Sequence, residues 1–257
     1  MSSAQQTHRP WTYSDLVALP EDQLRHELID GEHFVSPSPT LAHQVVLGRL
    51  FAVLNLYVTR HRSGEVLVAP FDVKLSAFTV LVPDLLYFNA VRFARVVNEK
   101  HATAAPDLVV EILSPSTRRR DLGRKRAVYD REGVREYWLV DPAAESITVL
   151  RRPGKGGGLT DASVLTSARA DRLESPLFPR LKIPLRDVFR RAGTRPGDRD
   201  SGPPLGGLGP TADEPCGAGR ARCRNPTPSR GGFPACGARL GSRRARPAGD
   251  SELRDFI

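Results

Sequence analysis

The chain has 257 residues and a formal net charge of +9, with an isoelectric point near 10.0. That length suffices for one large or two modest domains with a real core, and the charge suits a polyanionic partner such as nucleic acid. No stretch reaches the roughly 18 consecutive apolar residues of a membrane helix and no charged-then-apolar leader opens the chain, so a cytoplasmic protein without membrane contact is expected.

Taken in order, Tyr13 to Leu19 predicts a short helix stopped by Pro20. Leu24 to Ser36 holds Asp30-Gly31 between two extended runs, a strong hairpin signal. After Ser38-Pro39-Thr40, the spacing of Val45, Val46, Leu50, Val53, Leu54 and Tyr57 predicts the longest helix, Leu41 to His61. Two strands are expected over Glu65 to Leu75 and Val80 to Phe88, then a helical or irregular segment through Lys100. Leu108 to Leu113 is short, β-branched and bounded by Pro106 and Pro115, as in a strand buried on both faces. A helix follows from about Thr117 to Glu132, with Gly133 as its C-cap. Val134 to Val140 and Ser146 to Leu150 form a last strand pair, and Leu181 to Phe189 closes with a turn of helix. The order predicts an α/β domain with a mixed central sheet over residues 1–190.

Residues 191–257 differ in kind. They carry twelve arginines, no lysine and seven acids, which accounts for five of the nine excess charges, and about one-third of them are glycine or proline. Such a composition buries too little surface to offset the entropy of ordering it, so a disordered tail is expected there. Cys216, Cys223 and Cys236 all lie in this tail at spacings that match no zinc pattern.

The chemistry concentrates around Glu111, a carboxylate inside an apolar run, where an ionised group is costly unless a cation pairs with it. Two Pro-Asp pairs, Pro83-Asp84 and Pro106-Asp107, compete to supply a second acid. Asp107 shares a strand face with Glu111 but lies roughly 13 Å away at four residues' rise, too far to clamp one ion with it. Asp84 can lie beside Glu111 if its strand is the neighbour. Lys125 shares a helical face with Leu122 and Tyr129, the face that packs on the sheet, which aims an ammonium at the two acids. Snorkelling, or pairing with Asp121, is the structural alternative. Two carboxylates, a lysine and flanking arginines are the parts of metal-assisted phosphodiester hydrolysis, with Mg²⁺ or Mn²⁺ favoured over zinc by the all-oxygen acids.

Val82-Pro83-Asp84-Leu85, Ala105 to Ser116, Asp121-Leu122-Gly123-Arg124-Lys125-Arg126 and Glu136 to Pro142 resemble the Uma2 family of endonucleases. Glu27-Leu28-Ile29-Asp30-Gly31-Glu32 and Ala69 to Val73 share the resemblance, which covers about residues 11–190. It implies a restriction-endonuclease-like fold of the PD-(D/E)xK superfamily and a divalent-metal nuclease acting on DNA. Asp84 then stands at the Pro-Asp position and Glu111 at the (D/E) position. Leu113 occupies the usual lysine position, and Lys125 matches a lysine moved to the next helix. Glu27 matches an additional metal-ligating acid, while Asp72 matches a position of open role. The displaced lysine keeps open an inactive nucleic-acid-binding protein on the same fold, and cutting both strands would call for two sites, as in a homodimer.

Overall fold

The computed structural model describes residues 9–22, 24–154 and 156–190, all within one compact unit. The expected tail, with its three cysteines, lies outside the described residues. The chain runs through α1 (Tyr13–Val17), β1 (Arg25–Ile29), β2 (Glu32–Ser36) and α2 (Leu41–His61). Next come β3 (Gly64–Val68), β4 (Asp72–Lys74), β5 (Val80–Leu81), β6 (Leu85–Asn89), α3 (Ala90–Val96), β7 (His101–Ala102) and β8 (Leu108–Ile112). Helix α4 spans residues 118–131, and β9 (Glu136–Asp141), β10 (Ser146–Arg151), β11 (Thr160–Thr166), β12 (Arg172–Leu173), β13 (Ile183–Pro184) and α5 (Leu185–Phe189) complete the order.

The principal sheet has six strands in the order β11-β10-β9-β8-β6-β3. It is mixed, because β8 pairs parallel to β9 and antiparallel to β6. Strand β8 is central, and all five of its residues are buried, as an apolar run of that length requires when both faces are covered. Side chains alternate along it. Leu108, Val110 and Ile112 join the core beneath α2 and α5, while Val109 and Leu113 join the core beneath α4.

Helix α2 starts where Thr40 accepts a hydrogen bond from the His43 N–H at 3.3 Å, satisfying one of the orphan donors of its first turn. Its face of Val46, Leu50, Leu54 and Val58 is almost completely buried on the sheet. Burial of each such side chain contributes on the order of 1.5–3 kcal/mol. By length and composition α2 could also cross a membrane, which the count of consecutive apolar residues did not anticipate; here its apolar face packs on the sheet.

Two expected strands turn out to be broken. Pro70 divides the first into β3 and β4, and Pro83-Asp84 divides the second into β5 and β6. Proline donates no ladder hydrogen bond, so each break lets the chain leave one sheet for another. The inner halves form a second sheet, in the order β2-β1-β5-β4-β7, that one central sheet did not provide for. Strand β11 was also unforeseen: four of its seven residues, Thr160, Asp161, Ser163 and Thr166, are polar, and as an edge strand it is mostly exposed. The hairpin turn matches its dipeptide, with Asp30 at φ 51° and Gly31 at φ 82°. Gly64 is required by space, since a Cβ there would lie 2.0 Å from the Phe88 carbonyl oxygen.

Candidate active site

Asp84 occupies the bend between β5 and β6, immediately before the ladder to β8 begins. In that ladder Leu85 pairs with Val110, Leu86 with Val109 and Tyr87 with Leu108. One further step of the same register sets Asp84 opposite Glu111, the relation in which cross-strand side chains are neighbours. The Ile112 N–H also donates to Asp84 Oδ2 at 2.7 Å. Glu27 comes from β1, alternating with Leu28 and on the side of Ile29, which packs in the core beneath α4.

Helix α4 delivers the cation, but not in the phase a regular helix predicts. Its middle, Asp121–Lys125, is a π-helical turn between α-helical Arg118–Arg120 and Arg126–Arg131. The wider turn rotates Leu122 out to 42% exposure, against the expectation that it shares the buried face. Asp121, four residues before Lys125, takes the inward position, and Tyr129, four after it, stays buried as expected.

Lys125 is fully buried. Its Nζ lies 2.8 Å from Glu27 Oε1, 2.9 Å from Glu111 Oε1 and 3.5 Å from Asp121 Oδ1. The Tyr129 hydroxyl donates to the same Glu111 oxygen at 2.8 Å. Glu27 is better supported, accepting from the Val82 N–H at 2.9 Å and facing Arg120 at 3.3 Å. Asp84 is held by Arg25 at 2.5 Å and by His43 Nε2 at 3.1 Å. Four buried acids thus gather around one buried lysine and the partly buried Arg25 and Arg120.

The proton affinities follow from that crowding. Burial lifts the Glu111 carboxyl to about 8, with Asp121, Asp84 and Glu27 adding repulsion that Lys125 only partly offsets. Burial also opposes ionisation of Asp84, but the His43 hydrogen bond and the Arg25 charge prevail and bring it to about 2. For Glu27, burial is outweighed by Lys125, Arg25 and Arg120, and its carboxyl is lowered. Burial would depress Lys125, yet Glu111, Glu27 and Asp121 raise it above its ordinary value. One ammonium shared between two carboxylates leaves Glu111 the less well compensated.

Beside this cluster opens a cleft of ≈ 560 Å³, with Arg25, His43, Asp84 and Ile112 on its wall. Among the described residues no three His, Cys, Asp or Glu side chains converge as a ready-made metal site. The donors fit a hard cation that keeps its own waters: they are carboxylates, and buried Glu27 Oε2 and Asp121 Oδ1 have ion-pair neighbours, Arg120 at 3.3 Å and Lys125 at 3.5 Å, but no hydrogen bond.

Residues 13–186 match the Uma2 family, described as "Putative restriction endonuclease". The chain belongs to this family. A solved structure with the same fold is that of "a putative nuclease belonging to DUF820" from Anabaena variabilis, at 22% identity and a TM-score of 0.56. The match covers 70% of this chain and 98% of that one. The fold is therefore the restriction-endonuclease-like one, a mixed sheet flanked by helices. No curated protein matches the chain.

Within this Uma2 domain, Glu27, Glu111 and Lys125 meet in direct contact, and Asp84 stands at the adjoining register position. Asp107 does not join them: its Oδ2 accepts from the Asn89 backbone N–H at 2.9 Å and side-chain amide at 2.8 Å, a structural role at the start of β8. Asp72 lies on β4, paired in register with His101, and its carboxyl is hydrogen-bonded with Tyr13. Sequence reasoning missed Arg25 and His43. His43 could have been found as the residue three beyond the Thr40 cap, a histidine on the first turn of a mostly apolar helix. Arg25 gave no signal of its own, since an arginine opening a strand is ordinary.

Proposed function

We propose that this Uma2 protein is a Mg²⁺- or Mn²⁺-dependent endonuclease that hydrolyses phosphodiester bonds of DNA. The observation that carries the reading is the juxtaposition of Asp84 and Glu111 across one ladder, with the Lys125 ammonium on Glu111. Asp84 and Glu111 would hold the ion, with Glu27 as a further carboxylate. Such an ion supplies charge neutralisation at the phosphate and a more acidic water. Lys125 orients Glu111 and offsets negative charge gathering at the phosphate, while Tyr129 donates to the same oxygen and helps fix the carboxylate. Arg25 and His43 hold Asp84 in place.

A second reading has its own observation. Both oxygens of Asp84 are engaged by protein donors, and Leu113 stands where the superfamily lysine is expected, which suits a nucleic-acid-binding protein without catalysis. Nicking of supercoiled plasmid with Mg²⁺ or Mn²⁺ separates the two. Wild type should nick, and Asp84→Ala and Lys125→Ala should each lose at least about a hundredfold in rate with DNA binding retained. Binding without nicking in either metal would leave the non-catalytic reading.

A further inference from the structure

The acids and the lysine are hidden from any large partner. Asp84 is 2% exposed, Glu111 1%, and Glu27 and Lys125 0%. Of these four only Asp84 lines the cleft, so a phosphate that reaches it through the cleft must descend below the rim. The cleft, at ≈ 560 Å³, lies within the roughly 300–1,000 Å³ of pockets that enclose one small molecule. A DNA duplex is stiff, so a paired strand enters such a cleft only at the cost of deformation or of extruding a nucleotide.

The lining has the character of a seat for an unpaired nucleotide. Pro37, Pro39 and Pro115 offer flat apolar surface, Ser38 and Ser116 offer hydroxyls, Gln44 is the one amide in the lining, and Arg25 and His43, which could also meet a base edge, are already paired with Asp84. Just past Thr117 on the rim, exposed Arg119 makes no ion pair among the described residues and is available to a backbone phosphate.

We propose that the cleft takes an unpaired nucleotide, so that the substrate is single-stranded DNA or a duplex in which the nucleotide is already extruded. The assignment of its scissile phosphate to Asp84 rests on the nuclease reading; the seat itself does not. Extrusion from a paired duplex costs free energy that an open strand does not pay, which sets the expected preference at about tenfold or more.

The test uses the full-length protein with chelated metal, a short fluorescein-labelled oligonucleotide, and a hairpin duplex of the same sequence. Anisotropy should show the open strand bound at least about tenfold more tightly than the hairpin. Gln44→Trp, which fills the cleft from the exposed first turn of α2, should abolish that preference, and Gln44→Ala should keep it. With Mg²⁺ or Mn²⁺, a duplex bearing an unpaired bubble should be cut faster than its fully paired counterpart. Equal affinity for the two forms, or a preference that survives Gln44→Trp in a variant that melts like wild type, overturns the proposal. Selective binding with no cleavage in either metal supports the seat and overturns the nuclease reading, so the two failures are distinct.

Discussion

Lys125 carries more of the molecule than its single charge suggests, because Glu27, Glu111 and Asp121 all depend on it. Replacing it by methionine preserves volume while leaving three carboxylates buried without their cation. Breaking a buried ion pair from one side costs about 3–5 kcal/mol. The lower part of that range applies here, since Glu27 keeps Arg120 and the Val82 N–H, and Glu111 already binds a proton readily. Urea unfolding of Lys125→Met should therefore show a loss of about 3 kcal/mol. Adding Glu111→Gln should restore at least about 1 kcal/mol of it, because the two side chains share one interaction. Unfolding of Lys125→Met indistinguishable from wild type would mean the ammonium does not neutralise this cluster. The candidate site was legible at this scale where a residue broke a pattern: Glu111 stood inside an apolar strand and Lys125 on an inward helical face. His43 and Arg25 break no pattern, and their place beside Asp84 comes from distant elements that only folding brings together.

Elements were read well where one period ran uninterrupted. The apolar spacing of α2 located it to the residue, and Asp30-Gly31 located the hairpin between β1 and β2. The π turn of α4 escaped because periodicity assumes a constant rise, and its inserted residue is what exchanges Leu122 for Asp121 on the buried face. The short strands of the second sheet escaped because two or three residues are too few to show alternation. Two predictions belong here. Gly48 sits exposed within α2, and a Cβ there would meet nothing within 4 Å, so Gly48→Ala should stabilise the protein by roughly 0.5–1 kcal/mol in thermal or urea unfolding. A destabilised variant would show that α2 is not regular there. Asp141, at the turn from β9 to β10, accepts from Arg118 at 2.5 Å and from the Ala143 and Ala144 N–H groups. Burial pushes its carboxyl up, but these donors hold it below the usual range. Its contribution is thus present above the unfolded pKa of about 3.9 and lost as pH falls through the lower folded value. Melting of Asp141→Asn should fall less steeply than wild type on that acid side, and parallel curves would remove Asp141 from the acid response.

At the scale of the whole molecule, the folding unit should close at Arg190. Leu185, Val188 and Phe189 of α5 are buried against the core beneath α2, and Arg49 donates to the Val188 carbonyl at 3.0 Å and to the Arg190 carbonyl. Ending the chain after Lys182 would strip β13 and α5 from that core, exposing apolar surface whose burial is worth on the order of 1.5–3 kcal/mol per large side chain. Such a chain should fail to fold cooperatively. Ending it after Arg190 instead removes five net positive charges but none of those contacts. The prediction is a melting midpoint unchanged by removal of residues 191–257, together with weaker DNA binding and a shallower dependence of log affinity on log salt. The slope should fall because each lost phosphate contact removes about 0.9 from it. A midpoint lowered by several degrees would place part of the fold's support beyond Arg190, and an unchanged salt slope would mean that the arginines there do not touch DNA.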